Sequence, residues 1–287
     1  MSKITLFALA LGCIAVTSSP LHAQTSDAKR KLGLIQGPSQ AKLKDVAQVQ
    51  VPEGYVFIDG NGLRALLKKA GEPTSGNELG LLRPTNHSWS VIFEFSPEGY
   101  VKDDEKNSLN ADKLLADIKA ANAEANKERV RNGNAPLEVV GWEQPPKYDE
   151  TTHNLEWCIR GTSEDHAILN YNTKLLGRKG VMEVVLIVDP EKLPETMPAF
   201  RNVLANYSFQ TGQTYAEYRP GDKVAKYGLA ALVVGGAAVG AAKLGLFTSL
   251  LLLFKKGFKL VIVAVVAIIA SIKKVLGKIF GRRQTTT

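Results

Sequence analysis

The stretch AILNYNTKLLGRKGVMEVVLIV, residues 167–188, decides the fold. Two runs rich in β-branched and aromatic residues, around Ala167–Leu175 and Gly180–Val188, flank Leu176-Gly177-Arg178-Lys179-Gly180. A glycine-containing connection this short between two such runs predicts an antiparallel hairpin. Gly177 and Gly180 are expected to supply the positive φ of a tight turn.

Working outward, Asn154–Gly161 and Leu137–Trp142 predict two further strands, with Pro145 and Pro146 in a rigid turn between Trp142 and Trp157. Trp89, Val91, Phe93 and Phe95 alternate on one face of another strand, placing Glu94 on the opposite face of a half-buried sheet. Tyr55–Ile58 is a β-rich run ending in the turn signal Asp59-Gly60-Asn61-Gly62. Leu63, Leu66 and Leu67 then take helical spacing, closed by Gly71 and Pro73. Asn110 caps a second helix, with Leu114, Leu115 and Ile118 on its apolar side and a polar, solvated half reaching Arg131. Pro190 opens a third, reaching about Tyr207. Helices between the early strands and tight turns between the late ones predict an α+β domain with a mostly antiparallel sheet packed by helices.

Outside that domain, both ends of the chain are apolar. Lys3, the run Ile4–Val16 and Leu21-His22-Ala23 read as a signal peptide over residues 1–23, with an uncleaved signal anchor as the alternative. Residues 24–50 are expected to be a flexible arm or short helix, residues 51–222 the exported domain, and Arg219-Pro220-Gly221-Asp222 its boundary. The run from Tyr227 to Ile272 is almost wholly apolar, interrupted only by Lys243, Lys255, Lys256 and Lys259. It predicts a transmembrane helix over 227–254, since Gly228–Phe254 would be about 40 Å long as a helix. The basic tail 255–287 follows, with the shorter apolar segment 260–272 embedded in the membrane or forming the second arm of a helical hairpin. Gly236, Ala237, Gly240, Ala241 and Gly245 form a small-residue stripe suited to helix self-association and hence a homodimer. Lys273, Lys274, Lys278, Arg282 and Arg283 alternate with apolar residues, as an interfacial helix on anionic membrane lipid would.

The net charge of +8 is misleading as a guide to partners. Residues 24–226 carry 26 basic against 28 acidic side chains, while all nine charged residues beyond 226 are basic. A slightly acidic exported part argues against nucleic acid. The basic end expects a cytoplasmic C-terminus, with the domain in a bacterial periplasm and the anchor in the inner membrane.

Chemistry-bearing motifs are sparse. Asp149, His153 and Glu156 include metal-ligating types, but with no thiolate among them and a turn entering a strand they are not expected to converge. His166 reads as a loop residue, and His87-Ser88 lacks a nucleophile elbow. Cys158, between Trp157 and Ile159, is expected to be buried. Neither a Walker loop nor a dinucleotide fingerprint is present, and no metal or other cofactor is expected. Arg178 is free to pair with a carboxylate or a ligand anion. Arg178, Asp149 and His153 are therefore the candidate ligand contacts.

Three ordered motifs carry a resemblance. They are Gly141–Asp149 with Thr152, Leu155 and Trp157; Asn170-Tyr171 followed by Leu176–Met182; and Tyr227-Gly228-Leu229 with Gly235-Gly236. Together they resemble a bacterial family of membrane-anchored proteins, domain of unknown function 2167. The resemblance implies an exported domain with a C-terminal anchor and supplies no catalytic residues. The expected function is a non-enzymatic module binding a partner protein or envelope component. The alternatives are an accessory subunit of a membrane transport complex, favoured by Lys243, and an anchored hydrolase around His153.

Overall fold

The computed structural model describes residues 33–69, 74–131, 133, 135–163 and 166–235. The signal peptide, the small-residue stripe Gly236, Ala237, Gly240, Ala241 and Gly245, and the basic residues Lys273, Lys274, Lys278, Arg282 and Arg283 lie outside them.

The strands are β1 (Leu34–Gln36), β2 (Ser39–Leu43), β3 (Ala47–Val51), β4 (Tyr55–Asp59), β5 (Glu78–Pro84), β6 (Ser90–Ser96), β7 (Glu138–Asp149), β8 (Asn154–Ser163), β9 (His166–Leu176), β10 (Val181–Val188) and β11 (Tyr207–Phe209). The helices are α1 (Gly60–Lys69), α2 (Ala111–Arg131), α3 (Leu193–Ala205) and α4 (Leu229–Val234). Eight strands form one sheet in the order β1-β4-β5-β6-β10-β9-β8-β7, and a small sheet takes the order β11-β3-β2. Every pairing between these strands is antiparallel. The architecture is thus α+β with a large antiparallel sheet, as the sequence predicts.

The expected hairpin is β9–β10, closed by Gly177 N donating to Gly180 O at 2.9 Å. Its glycines serve a purpose other than positive φ, because neither adopts one. A Cβ on Gly180 would sit 2.2 Å from the Ser96 carbonyl oxygen, and one on Gly177 would be 3.0 Å from the Phe209 ring. Close approach of neighbouring strands, not turn geometry, selects them.

Four further expectations are corrected. Within the arm 24–50, the described residues build β1, β2 and most of β3, because Ala41, Leu43, Ala47 and Val49 alternate inward and bury completely. Asp59–Gly62 is a helix start rather than a turn: Asp59 Oδ1 accepts from Gly62 N at 2.8 Å and caps α1. Pro145 and Pro146 lie within β7, which continues past them with register breaks between Val139 and Gly141, Trp142 and Gln144, and Gln144 and Lys147. Prolines are tolerated there because β7 is the edge of the sheet. The polar half of α2 is a strap: Asn122 and Asn126 Nδ2 both donate to Leu137 O, at 2.7 and 2.6 Å, and Asn126 Oδ1 accepts from Leu137 N at 2.9 Å. Its expected cap is present, with Asn110 Oδ1 accepting from Lys113 N at 2.9 Å.

The two faces of the large sheet differ. One shares a continuous apolar core with the small sheet and α3, containing Phe57, Phe93, Val184, Leu186 and Phe200. The other is covered by helices and divides into two clusters. Leu63 and Leu67 of α1 pack on Ile58, Ile92 and Val185 in the first. Leu114 and Ile118 of α2, and Leu229, Leu232 and Val233 of α4, pack on Leu155, Trp157, Leu176 and Val181 in the second.

The expected transmembrane helix 227–254 is not what its described residues form. Its first part is α4, a six-residue helix buried against the domain and stopped at Gly235, whose φ of 120° does not continue a helix. The rest of the span lies outside the described residues. No helix among the described residues is long and apolar enough to cross a membrane.

Candidate functional site where the three motifs meet

The three sequence motifs meet at one end of the domain. Trp142, Tyr148, Leu155 and Trp157 of the first, Leu176 and Val181 of the second, and Tyr227 and Leu229 of the third belong to the same apolar cluster. Strand order explains this: β7, β8, β9 and β10 are consecutive in the sheet, so the β7–β8 turn and the β9–β10 loop lie side by side at one end, and the segment 218–228 passes Tyr100 and Arg178 before entering α4.

That crossing segment is tied down at several points. Tyr100 N donates to Lys223 O and Ala225 N to Tyr100 O, each at 2.8 Å, around a parallel bridge between Tyr100 and Val224. Arg178 donates Nε to Asp222 Oδ2 at 2.7 Å and Nη2 to Asp222 Oδ1 at 2.8 Å. This two-point pair, with Arg219 N also donating to Asp222 Oδ2 at 2.7 Å, holds the Asp222 carboxyl down to about 2. Arg178 therefore takes the carboxylate of the two options its sequence position left open. Ala230 N donates to Glu105 Oε2 at 2.8 Å, and a Cβ on Gly228 would lie 2.6 Å from that carboxyl, so only glycine lets Glu105 reach the start of α4.

His153 lies at the same end, in the turn between β7 and β8, with a φ of 53°. Its carbonyl accepts from Leu176 N at 3.2 Å, which places it beside the Gly177–Gly180 loop. Its ring packs 4.4 Å from that of Tyr215, which stacks 4.4 Å from Tyr100. Tyr148 Oη donates to Asp103 Oδ2 at 3.1 Å and lies 3.0 Å from His153 Nδ1. A hydroxyl has one proton to give, so with Asp103 taking it the contact to His153 is a hydrogen bond only with a proton on Nδ1. Burial, followed by the charge of Asp103, pushes the Tyr148 hydroxyl well above its ordinary value.

The other candidates disperse. Asp149 Oδ1 accepts from Thr151 N and Thr152 N, each at 2.9 Å, closing the turn. Glu156 points to the opposite face of the sheet, where Arg201 of α3 donates to both its oxygens and Tyr171 Oη donates to Oε2 at 2.8 Å. Asp149, His153 and Glu156 do not converge, and among the described residues no three His, Cys, Asp or Glu side chains are grouped to hold a metal. Cys158 is buried in the α3-side core, as expected, and burial pushes its thiol up to about 12. His166 is exposed, 3.8 Å from Asp189. Ser88 Oγ donates to Asn86 Oδ1 at 2.8 Å, while burial, then the Arg83 charge, drops His87 to about 4.

A row of charge borders the junction. Glu78 of β5 pairs in register with Glu94 of β6, Glu94 with Glu183 of β10, and Glu183 with Lys174 of β9. The four side chains form one rung across the helix-covered face. Lys174 Nζ is 2.5 Å from Glu183 Oε2 and lies 5.8 Å from the centre of the Trp157 ring. Glu94, expected on an open face, is only 5% exposed. Desolvation, then the charges of Glu183 and Glu78, pushes it up to about 8. The rung was absent from the sequence reading, yet it leaves a signal. Glu94, Lys174 and Glu183 are lone charges in otherwise uncharged strands, and counting back from the hairpin loop pairs Lys174 with Glu183.

Among solved structures, the domain is similar to the PsbP protein of the cyanobacterium Synechocystis sp. PCC 6803. The identity is 10% and the TM-score 0.37, over 60% of this chain and 92% of that one. It is also similar to the Ran-binding protein Mog1p of Saccharomyces cerevisiae, at 9% identity and a TM-score of 0.30, over 61% of this chain and 96% of that one. At such scores neither likeness carries an argument about this chain. No curated protein matches the sequence. The family model described as "Protein of unknown function (DUF2167)" matches residues 35–269, which takes in all of the large sheet but its first residue, the junction and most of the apolar run; the chain belongs to that family.

Proposed function

We propose that this protein is a non-enzymatic binding module, exported to the periplasm and anchored in the bacterial inner membrane by the apolar run that follows Gly235, with its basic C-terminus in the cytoplasm. The observation that supports this most is the way the domain grips the segment leading into that run. Leu229, Leu232 and Val233 are buried as fully as any core residue, and Glu105, Arg178 and Tyr100 each bind a different point of residues 218–230. A domain linked to an anchor only to stay near a membrane needs no more than a polar linker. One that must hold an orientation toward a partner in or on the membrane needs a stiff joint, which the junction provides. The enzymatic alternative weakens on the same residues. Arg178 is spent on Asp222, and His153 is held by Tyr148 and Tyr215.

The test is cross-linking in intact cells followed by recovery of the full-length protein from membranes. A specific envelope partner, lost when Arg178→Ala and Glu105→Ala are combined, supports an oriented binding module. Recovery of the protein from the soluble fraction, or from membranes without any cross-linked partner, overturns it.

A further inference from the structure

We propose that the rung Glu78–Glu94–Glu183–Lys174 is a proton-binding site inside the domain, with Glu94 holding the proton and Glu183 relaying its loss to the α4 junction. Register puts three carboxyl side chains directly opposite one another on adjacent strands, with a single ammonium at one end. Like charges so placed repel, and in a site this buried they cannot all ionise cheaply. Only Glu183 touches the ammonium, at 2.5 Å. Glu78 is held by Ser75, whose N donates to Oε1 at 2.6 Å, with Arg64 Nη1 3.6 Å from Oε2. Glu94 sits between them, and its Oε1 is buried with no hydrogen-bond partner. Unpartnered polar atoms beside the rung mark the same region as polar and incompletely satisfied. Asn172 is fully buried two residues from Lys174, and its Oδ1 lacks a partner, as does Nε1 of Trp157, which faces it across the β8–β9 pair. A proton on Glu94 replaces one buried charge by a neutral donor and relieves the row from its middle.

The charged and titratable groups facing Glu94 are Glu78 on β5, Glu183 on β10 and Lys174 on β9. Behind them stand Arg64 of α1, on Glu78, and Tyr227, which feels the charges of Glu98 and Glu183. The helices flanking the rung present Leu63 and Leu67 on one side and Leu229 and Leu232 on the other. When Glu94 releases its proton to water, three carboxylates face one ammonium. Glu183 has the most exposed of the rung side chains in ion pairs, at 19%, and is the one able to swing outward toward Tyr227. Lys174 then loses its partner while still lying over Trp157, the residue on which α4 packs. A change in protonation becomes a change in the seat of the anchor-proximal helix. The proposal stands apart from the binding-module reading, since it concerns an internal equilibrium of the domain.

The test uses the full-length protein in lipid nanodiscs. Difference infrared spectra between pH 6 and 9 are expected to show a protonated-carboxyl C=O band lost with a midpoint near pH 8, to which burial and the neighbouring carboxylates push Glu94. Glu94→Gln is expected to remove that band, and Glu183→Gln to shift its midpoint down by about one unit by deleting a neighbouring charge. Hydrogen exchange in residues 229–234, corrected for intrinsic rate, is expected to accelerate several-fold over the same range in the wild type and to stay level in Glu94→Gln. A missing band, a titration that both substitutions leave unchanged, or exchange in 229–234 that ignores the titration would overturn the proposal.

Discussion

The two faces of the eight-stranded sheet are built from alternate residues of the same strands and yet solve different problems. Toward the small sheet and α3, Phe93 and Val184 enter one unbroken apolar core. Toward α1, α2 and α4, their chain neighbours Glu94 and Glu183 interrupt the apolar surface and split it in two. Apolar burial stabilises without regard to pH, whereas a buried row of carboxyls costs stability to a degree that pH sets. One face holds the fold together, and the other carries the part of the molecule that can respond.

Neighbouring substitutions on β6 test that contrast most sharply. Phe93→Ala, in the continuous core, is expected to cost about 3–5 kcal/mol in denaturant unfolding at any pH between 5 and 9. Glu94→Gln, one residue along, is expected to raise stability at pH 8 by on the order of 1–3 kcal/mol, with little effect near pH 4.5. The sign follows from the shift. Between an unfolded value near 4.5 and about 8 the folded state holds a proton that the unfolded chain has released, so wild-type stability falls as pH rises through that window and levels off above it. Glu94→Gln should remove this slope, and a persisting slope would place the proton elsewhere.

Smaller effects probe the ends of the strands. Gly180→Ala must push a methyl group against the Ser96 carbonyl and is expected to cost roughly 1–3 kcal/mol, whereas Gly54→Ala, with open space but a φ of 79°, isolates the cost of backbone conformation alone. Arg178→Lys keeps the charge and loses the two-point pair with Asp222, so hydrogen exchange at residues 219–225 should rise while global unfolding hardly moves. Because Asp222 is held down to about 2, the wild-type pair should protect that segment across neutral and mildly acidic pH and fail only as pH falls toward 2. Tyr148→Phe should have the smallest effect: the ring stays, and the change is confined to the resonances of its two hydroxyl partners, Asp103 and His153, followed by NMR.

The strands and helices were legible where their pattern was local. The β9–β10 hairpin, the Asn110 cap and the burial of Cys158 all follow from neighbouring residues. What escaped the sequence is what depends on partners far along the chain. Strands β2 and β3 read as a polar arm because their alternation is short and their apolar side chains small, and they become core through pairing and packing with β11 and α3. Glu94 reads as a solvent-facing residue because alternation marks the two faces of a strand without revealing whether both are covered. At the junction, Arg178 and His153 were singled out as residues with chemistry to offer, and the structure gives both of them partners within the fold. Arg178 pairs with Asp222, 44 residues away, and His153 meets Tyr148, 5 away, which in turn reaches Asp103, 45 residues back along the chain; only the packing of distant segments brings Asp222 and Asp103 near.

The edge strand β7 has a consequence for life at high local concentration. A twelve-residue edge is long enough to recruit a strand from another chain and begin aggregation. Here its pairing pattern is broken three times, Pro145 and Pro146 supply no amide hydrogen, and Glu138, Glu143, Lys147 and Asp149 face outward among exposed positions, with Val140 as an exposed aliphatic residue at 50%. The opposite edge, β1, offers only three residues. Copies of the domain held at high concentration would meet the edges of the large sheet often, and neither of those edges offers a long regular strand to extend.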